Sequence, residues 1–291
     1  MRSQPDLAAG ELVPYPSMPE VLYATSEGAV DVGVVAIENA LEGMVNVTVD
    51  TMAFDVDVYI QREIVVPVRL ELLGVPGATL DGIEAVASMP VAFGQTRRFL
   101  HESLPNAIER SVDSTAGAAE LVAKAGDPTV AALANALAGE RYGLETLVSG
   151  VEDHADNATR FVAVAPGRIP APTGHDKTTI VVFQHADRPG SLLAILQEFA
   201  ARAINLTRLE SRPARSGLGH YCFLIDLEGH IADEVVADAL RVIHAEQATC
   251  KFLGSYPAEG SDGAAVRAGV SESVRAAGEW MDDLRTRIVE G

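Results

Sequence analysis

The sequence has few of the features that mark a secreted, membrane-bound or metal-binding protein. It contains two cysteines and seven histidines in 291 residues, too few and too scattered for a cluster of metal ligands. Cys222 and Cys250 lie in apolar runs that predict strands, which is typical of small buried side chains in a reducing compartment. No apolar run approaches the roughly 18 residues of a membrane span, and the first residues lack the apolar core of a signal peptide. We therefore expect a soluble, cytoplasmic protein that binds no membrane.

Basic residues are also scarce. Lysine and arginine number 22 against 41 aspartates and glutamates, which makes the formal net charge −19. This balance argues against a nucleic-acid partner, because phosphate backbones are bound by basic surfaces. An anionic ligand would need a local group of arginines, backbone N–H groups or helix N-termini to overcome the long-range field.

The material for a core is ample, since 48% of the residues are hydrophobic, and the length suits about two domains. In residues 1–165 predicted strands alternate with helices, and no glycine-rich dinucleotide fingerprint occurs. This order predicts two small α/β lobes with a cleft. The predicted strands are 32–37, 58–60, 64–72, 83–88 and 129–133; the predicted helices are 20–29, 93–103, one starting at Ser114-Thr115 and one ending at Tyr142-Gly143.

Polar residues collect where these elements end. Glu38 and Asn39 directly follow a buried strand, a place where open α/β sheets bind ligands. Asn39 could equally cap a helix running toward Ala53. Ser114 and Thr115 begin a helix whose free N–H groups could hold an anion.

The segment Thr159-Arg160-Phe161 opens another apolar strand. Alternation along a strand predicts that Thr159 and Phe161 share one face and that Arg160 points to the other. A hydroxyl beside a guanidinium suits a small carboxylate, although most such triplets are ordinary strand starts.

Residues 166–176 form a proline-rich linker, and the pattern then changes. The order of elements from Thr178 to Leu253 is βαββαβ, the ferredoxin-like arrangement, with two helices on one face of an antiparallel sheet. Its open edges favour pairing with a second copy. Strand one separates strands three and four in this topology, so we expect no disulfide between Cys222 and Cys250. The tail from residue 258 contains a short heptad pattern; its apolar positions are Val270, Val274, Ala277, Met281, Leu284 and Ile288.

Taken together, the motifs resemble prephenate dehydratase with a C-terminal ACT regulatory domain, from about Val32 to Tyr256. The segment 38–43 is similar to the family's Glu-Asn-Ser-x-x-Gly, with Ala40 in place of serine. The other matching segments are Thr159-Arg160-Phe161, Arg188-Pro189-Gly190-Ser191-Leu192, Glu210-Ser211-Arg212-Pro213, Ser114-Thr115, Tyr142-Gly143-Leu144 and Asn157. The resemblance implies a catalytic domain of periplasmic-binding-protein-like fold over 1–165, the linker 166–176, an ACT domain over 177–257 and a tail over 258–291.

The resemblance also implies an activity: conversion of prephenate to phenylpyruvate with loss of carbon dioxide and water, without a cofactor and under the control of phenylalanine. Thr159 would donate a hydrogen bond to the departing hydroxyl, and Arg160 and Asn39 would hold carboxylates. Phe161 would shape the pocket, and Glu38 or His101 is a lower-ranked general acid. Ser114, Thr115 and Asn157 complete the predicted catalytic set. The predicted phenylalanine site, between paired ACT domains of a homo-oligomer, comprises Gly190, Ser191, Leu192, Asn205, Leu206, Glu210, Ser211, Arg212 and Pro213.

One departure from the family pattern concerns the start of the chain. The family opens with a strand and a Gly-Pro-x-Gly-Thr-Phe segment, whereas residues 1–5 resemble the region just after it. A lost strand would leave backbone groups of its neighbours unpaired, so we expect the chain as written to be poorly active or unstable and an extended form to be the working enzyme. The alternatives are a non-catalytic phenylalanine sensor and a periplasmic-type binding protein.

Overall fold

The computed structural model describes residues 4–184, 189–215 and 221–259, together with 279–281, 283, 286 and 287. The chain divides into two compact units. The first unit contains residues 1–38, 44–65 and 160–291, and the second contains 39–43 and 66–159. The chain therefore passes between the units at 38/39, 43/44, 65/66 and 159/160.

In the N-terminal part of the first unit, helices pack against a β-sheet. Helix α2 begins after Ser17, whose side chain accepts a hydrogen bond from the backbone N–H of Glu20, and a proline stands in its first turn. The serine thereby satisfies an N–H group that has no partner inside the helix, and proline lacks such a group. The elements are α1 (Pro5–Ala8), α2 (Met18–Ser26), β1 (Gly33–Asn39), β2 (Gly43–Met44), α3 (Asn46–Phe54) and β3 (Tyr59–Pro67).

The second unit is a five-stranded mixed sheet with helices on both faces. Its strand order is β6-β5-β7-β4-β8, with β5 parallel to β6 and β7, and β4 antiparallel to β7 and β8. The central strand β7 is buried throughout, as expected for a strand covered on both faces. The elements are β4 (Glu71–Gly74), a 3₁₀ turn (Leu80–Gly82), β5 (Ala85–Ser88), α4 (Pro90–Gln95), α5 (Arg97–Ser103), β6 (Ile108–Ser111), α6 (Thr115–Ala125), β7 (Val130–Ala134), α7 (Ala136–Tyr142) and β8 (Glu145–Ser149).

Strand β9 (Ala158–Ala165) completes the first unit's N-terminal sheet, whose order is β2-β1-β9-β3. Strand β1 is therefore the direct neighbour of β9. Strand β3 ends the sheet, as its Pro67 predicts, because proline cannot donate to the ladder.

The remaining elements of the first unit form what we call the C-terminal module, residues 176–257. Its antiparallel order β11-β12-β10-β13 is the ferredoxin-like topology, which confirms the predicted βαββαβ arrangement. Strand β10 lies between β12 and β13, and both cysteines are free, as predicted. The elements are β10 (Asp176–Gln184), α8 (Ser191–Ala200), β11 (Leu206–Pro213), β12 (Tyr221–Glu228), α9 (Glu234–Val242), a π-helical turn (Ile243–Gln247) and β13 (Ala248–Pro257).

The two faces of the module's sheet are buried against different partners. On one face Ile180, Val182 and Ile225 pack with helix residues such as Phe199. On the other, Val181, Cys222 and Leu224 share one core with Ile37 and other residues of the N-terminal sheet. The predicted linker 166–176 therefore joins two layers that share a common core.

Several local predictions are wrong. The strands predicted at 58–60 and 64–72 are one continuous strand, β3, followed by β4. The helix predicted over 93–103 is broken at Thr96, which leaves helical geometry. Asn39 caps no helix, since α3 starts at Asn46 with Val45 as its cap. Strands β6 and β8 were missed because they are polar edge strands, largely exposed, without apolar alternation.

Other features of the sequence are only partly covered. Most of the predicted heptad lies outside the described residues; Trp280 and Met281, which lie within them, are exposed. The helices that the structure describes include none of the length and apolar character that crossing a membrane requires.

Candidate functional site

A hydroxyl and an amide meet where β1 and β9 run side by side. Asn39 Nδ2 donates to Thr159 Oγ1 at 3.0 Å and to the carbonyl of Ala158 at 3.3 Å. The other side of the amide is fixed as well, because Asn39 Oδ1 accepts from the backbone N–H groups of Leu41 and Glu42, each at 3.0 Å. Thr159 Oγ1 is thus an acceptor in this pair, and its single O–H proton can be donated to a ligand.

Asn157, two residues before Thr159, is 2% exposed. Its backbone is engaged, with its N–H donating to His154 and its carbonyl accepting from Val68. Within the described ranges, however, its side-chain Nδ2 and Oδ1 have no hydrogen-bond partner. An unsatisfied buried polar group costs about 1–3 kcal/mol, and in native proteins it often marks a functional role.

The other predicted catalytic residues lie on three different elements. Ser114 caps α6, where its hydroxyl accepts from the N–H of Gly117 at 2.9 Å, and Thr115 is the first residue of that helix. Phe161 is half-buried on β9. His101 is exposed in the last turn of α5. The structure records no hydrogen bond that joins any of these four residues to Asn39 or Thr159 in the part of the chain it describes.

Arg160 is at the centre of what we call the buried ion cluster. Its side chain is 11% exposed, and each of its nitrogens is used. Nε donates to Glu63 at 2.7 Å, Nη1 to Asp226 at 2.7 Å and Nη2 to the hydroxyl of Tyr256 at 2.8 Å. Glu63 also binds Lys177 Nζ at 2.9 Å. The guanidinium thus joins β9 and β3 of the N-terminal sheet to the C-terminal module.

Hydrogen-bond directions in this cluster follow from its chemistry. Asp226 can only accept when ionised, so Thr179 donates to it at 2.7 Å, and Tyr256 donates to Thr179 at 2.7 Å. Burial alone would raise the pKa of Asp226, but the guanidinium groups of Arg160 and Arg208 outweigh it and hold that pKa below its usual range. Burial raises the pKa of Tyr256, so its hydroxyl stays protonated.

Glu38 belongs to the same cluster. Arg208 on β11 forms an ion pair with its carboxylate, and Arg160 Nη1 lies 3.6 Å from it. Arg208 also lies 3.4 Å from Asp226. A carboxylate paired in this way with two guanidinium groups is a poor general acid, because opposite charges favour its ionised form.

A pocket of about 440 Å³ opens on the C-terminal module. Four of the predicted effector residues line it: Gly190, Ser191, Leu192 and Ser211. Other lining residues, which the sequence did not indicate, are Gln184, Leu193, Leu196, Tyr221 and Phe223. Gln184 Nε2 donates to Ser191 Oγ at 2.8 Å, and the lining combines these polar side chains with several apolar ones.

The remaining predicted effector residues do not line this pocket. Arg212 instead donates to Asp50 of α3 at 2.7 and 3.1 Å and to Asn46. Leu206 packs against the helix-side core, and Asn205 accepts from the N–H of Glu228 through its carbonyl. Glu210 is half-buried on β11, where Pro213 is exposed.

The residues of the buried ion cluster from the C-terminal module were missed from sequence. A usable signal existed, because Asp226 stands at the end of an apolar strand and Glu63 within another, and charged side chains are rarely fully buried without a partner. Which charges pair, however, depends on strands far apart in the chain. Among the described residues no group of histidine, cysteine, aspartate or glutamate side chains is placed to hold a metal ion.

Comparison with known proteins agrees with this geometry. The family model for prephenate dehydratase matches residues 6–168, and that for the ACT domain matches residues 178–245. A prephenate dehydratase of Mycolicibacterium gilvum is 41% identical over 260 residues, which cover 88% of this chain and 83% of that protein.

Solved structures resemble the chain over most of its length. The prephenate dehydratase from Arthrobacter aurescens in complex with L-Phe has a TM-score of 0.84 and 36% identity, covering 98% of this chain and 94% of that one. GqqA, described as a novel type of quorum-quenching acylase, has a TM-score of 0.76 and 31% identity, covering 87% and 92%.

Fold and site together define a two-part α/β enzyme, in which a periplasmic-binding-protein-like catalytic region is joined to a ferredoxin-like ACT domain, and the predicted fold class is confirmed. The chain belongs to the prephenate dehydratase family, whose members are hydro-lyases.

Proposed function

We propose that this protein converts prephenate to phenylpyruvate and that phenylalanine regulates it by binding to the C-terminal module. The observation that carries the catalytic part is the Asn39–Thr159 pair, in which a fixed amide donates to the threonine hydroxyl and leaves its proton for another acceptor. Membership of the prephenate dehydratase family supplies the reaction class.

The chemistry requires little beyond positioning. The C–C bond to the ring carboxylate breaks and releases carbon dioxide, its electron pair enters the ring, and the C–O bond at the opposite carbon breaks. The departing hydroxide takes a proton from solvent and leaves as water, and the ring becomes aromatic. Thr159 is too weak an acid to transfer that proton as a conventional acid. We propose that it donates a hydrogen bond to the leaving oxygen, where charge develops in the transition state.

Asn157 is the candidate for substrate recognition. Its buried amide has two donors and an acceptor without partners in the described ranges, and it lies two residues from Thr159. An amide N–H that donates to a substrate carboxylate oxygen would offset the cost of burying the group. The sequence predicts that Asn39 holds a carboxylate; we propose instead that its amide, which donates to the hydroxyl, orients Thr159.

Regulation is proposed from the 440 Å³ pocket. Its apolar walls suit an aromatic side chain, and Gln184, Ser191 and Ser211 supply polar groups for the amino and carboxylate groups of an amino acid. The Arthrobacter aurescens structure, which contains L-Phe, supports this choice of effector. We further propose that β11, the edge strand of the module, pairs with a second copy, because exposed edges favour such contacts.

Replacement of Thr159 tests the catalytic proposal. Thr159→Ala should lower kcat for prephenate by about a hundredfold or more, the usual cost of removing one donor to a developing oxyanion. Thr159→Ser keeps the hydroxyl and should retain much more of the activity. Phenylalanine binding, measured by calorimetry, should be unchanged in both variants.

The outcomes separate the alternatives. Near-normal turnover in Thr159→Ala would remove this hydroxyl from the mechanism. Phenylalanine binding without turnover of prephenate, both in the unchanged chain and in a form extended at the N-terminus, would favour the non-catalytic sensor. Since one solved relative is described as an acylase, absence of phenylpyruvate formation should be followed by an assay for amide hydrolysis.

A further inference from the structure

Two ionic contacts adjoin the Asn39–Thr159 pair, one on each strand that carries it. Glu38 precedes Asn39 on β1, and Arg160 follows Thr159 on β9. Successive side chains of a strand point to opposite faces. The amide and the hydroxyl therefore share one face of the sheet, and the carboxylate and the guanidinium share the other.

Both charged residues are held by the C-terminal module. Arg160 donates to Asp226 at 2.7 Å and to Tyr256 at 2.8 Å, and Glu38 is ion-paired to Arg208. All these contacts lie within the first unit. A substrate carboxylate could reach Arg160 only by breaking hydrogen bonds that are charge-assisted and buried, so the predicted role of Arg160 in holding substrate has little geometric support.

We propose that Arg160 and Glu38 are positioning residues, through which the sheet of the C-terminal module sets the geometry of the Asn39–Thr159 pair. This inference rests on the proposed function, because it assigns the pair to the reacting groups. Neither residue touches substrate in this scheme. Each acts through its neighbour in the chain, since a shift of the side-chain anchor moves the backbone that Asn39 or Thr159 shares with it.

The same two strands of the module also line the effector pocket. Ser211 on β11 pairs with Phe223 on β12, and both line the pocket. Three residues away on each strand, Arg208 pairs with Asp226, and both belong to the buried ion cluster. At about 3.4 Å per residue the two pairs lie roughly 10 Å apart along the strands. The pair that lines the pocket and the pair that holds Glu38 and Arg160 therefore belong to the same rigid, hydrogen-bonded pair of strands.

Two linked sites must change each other equally only in their binding free energies, and this reciprocity does not extend to a kinetic parameter such as kcat. A phenylalanine-dependent shift of β11 and β12 would move Glu38 and Arg160 together. Their neighbours in the chain, which are the two partners of the Asn39–Thr159 hydrogen bond, would move with them. The proposed effect of phenylalanine is therefore on kcat rather than on the affinity for substrate.

The first experiment compares Arg160→Lys and Glu38→Gln with the matched control Arg202→Lys, which weakens an ion pair of Arg202 with Glu198 and Asp238 within the module. Arg160→Lys keeps the positive charge but loses the planar guanidinium with its fixed donors. Glu38→Gln removes the charge of a partly exposed carboxylate and leaves the apolar core unchanged. Both should lower kcat by about tenfold to a hundredfold, as small misplacements of catalytic groups do, with KM and phenylalanine affinity unchanged. Phenylalanine should no longer alter their turnover, whereas Arg202→Lys should behave as the unchanged chain.

A rise in KM with unchanged kcat in Arg160→Lys would overturn the inference, since that is the signature of a substrate-binding residue. Retention of the full phenylalanine response in Glu38→Gln would overturn it too.

The second experiment needs no turnover and so separates this inference from the proposed function. Amide hydrogen exchange of segments 38–41 and 158–161 is measured with and without phenylalanine. The inference expects a ligand-dependent change in the unchanged chain that is lost in Glu38→Gln. If phenylalanine binds and neither segment responds, the inference is wrong even if the protein dehydrates prephenate.

Discussion

Replacement of Asp226 by asparagine gives the sharpest physical test of the buried ion cluster. Asp226 is fully buried and accepts from Arg160 Nη1 and Thr179 Oγ1, each at 2.7 Å. Asparagine keeps the shape but removes the charge and turns one oxygen into a donor. The new N–H₂ group would face either the guanidinium or the threonine hydroxyl, so at least one buried donor loses its acceptor.

The magnitude follows from these losses. Removing one partner of a buried ion pair costs about 3–5 kcal/mol, because buried positive charge then exceeds that of its remaining carboxylate partners. About 2–4 °C of Tm is lost per kcal/mol in large domains, so Tm at pH 7 should fall by roughly 6–20 °C. Thermal unfolding followed by circular dichroism measures this shift. Asp238→Asn is the matched control: that carboxylate pairs with Arg202 and Arg241 but is half exposed, so water replaces the lost partner and the change should be much smaller.

The pH dependence has a defined sign. The folded-state pKa of Asp226 is lowered, so its contribution to stability is complete above the unfolded pKa of about 3.9 and is lost as pH falls through the folded value. The difference between the unchanged chain and Asp226→Asn should therefore be constant from pH 8 down to about pH 5 and should shrink in more acidic buffer. An unchanged Tm at pH 7, or a difference that widens on acidification, would refute this account of the cluster.

Two further predictions concern single positions. Asn157→Leu removes a buried amide without partners in the described ranges and should leave the stability equal or higher while raising KM for prephenate about tenfold, the equivalent of roughly 1.4 kcal/mol; a lower Tm with normal KM would contradict a role in binding. Gly254→Ala should lower the free energy of unfolding by about 3 kcal/mol, because overpacking and backbone strain combine. The φ angle of Gly254 is +148°, and a Cβ atom there would lie 2.7 Å from the carbonyl oxygen of Ile60. Gly174→Ala, at φ +81° with open space around it, is the control and should cost only the strain of positive φ, so equal losses in the two variants would refute the close approach.

The ferredoxin-like module was predictable because its signals are local. Apolar strands and helices follow one another with the periods of their secondary structures, and glycine or proline stands between them. The topology then followed from the order of elements, and with it the separation of Cys222 from Cys250 by β10. The polar edge strands β6 and β8 carry no such signal, because they are largely exposed and are stabilised by pairing with a neighbouring strand rather than by burial of apolar side chains.

The sequence by itself determined most of the apolar elements and their order, the family, and the presence of a hydroxyl at 159 and an amide at 39. It also determined that Thr159 and Arg160 face opposite ways, because strand alternation is a property of the chain alone. Only the tertiary structure decided what each of them meets. Asn39 and Thr159 lie 120 positions apart in the chain, and Arg160 and its partner Asp226 lie 66 positions apart. The energy of an ion pair depends on distance and burial, and both arise only when distant strands pack together, so no local pattern around Arg160 could show that its charge is used inside the protein.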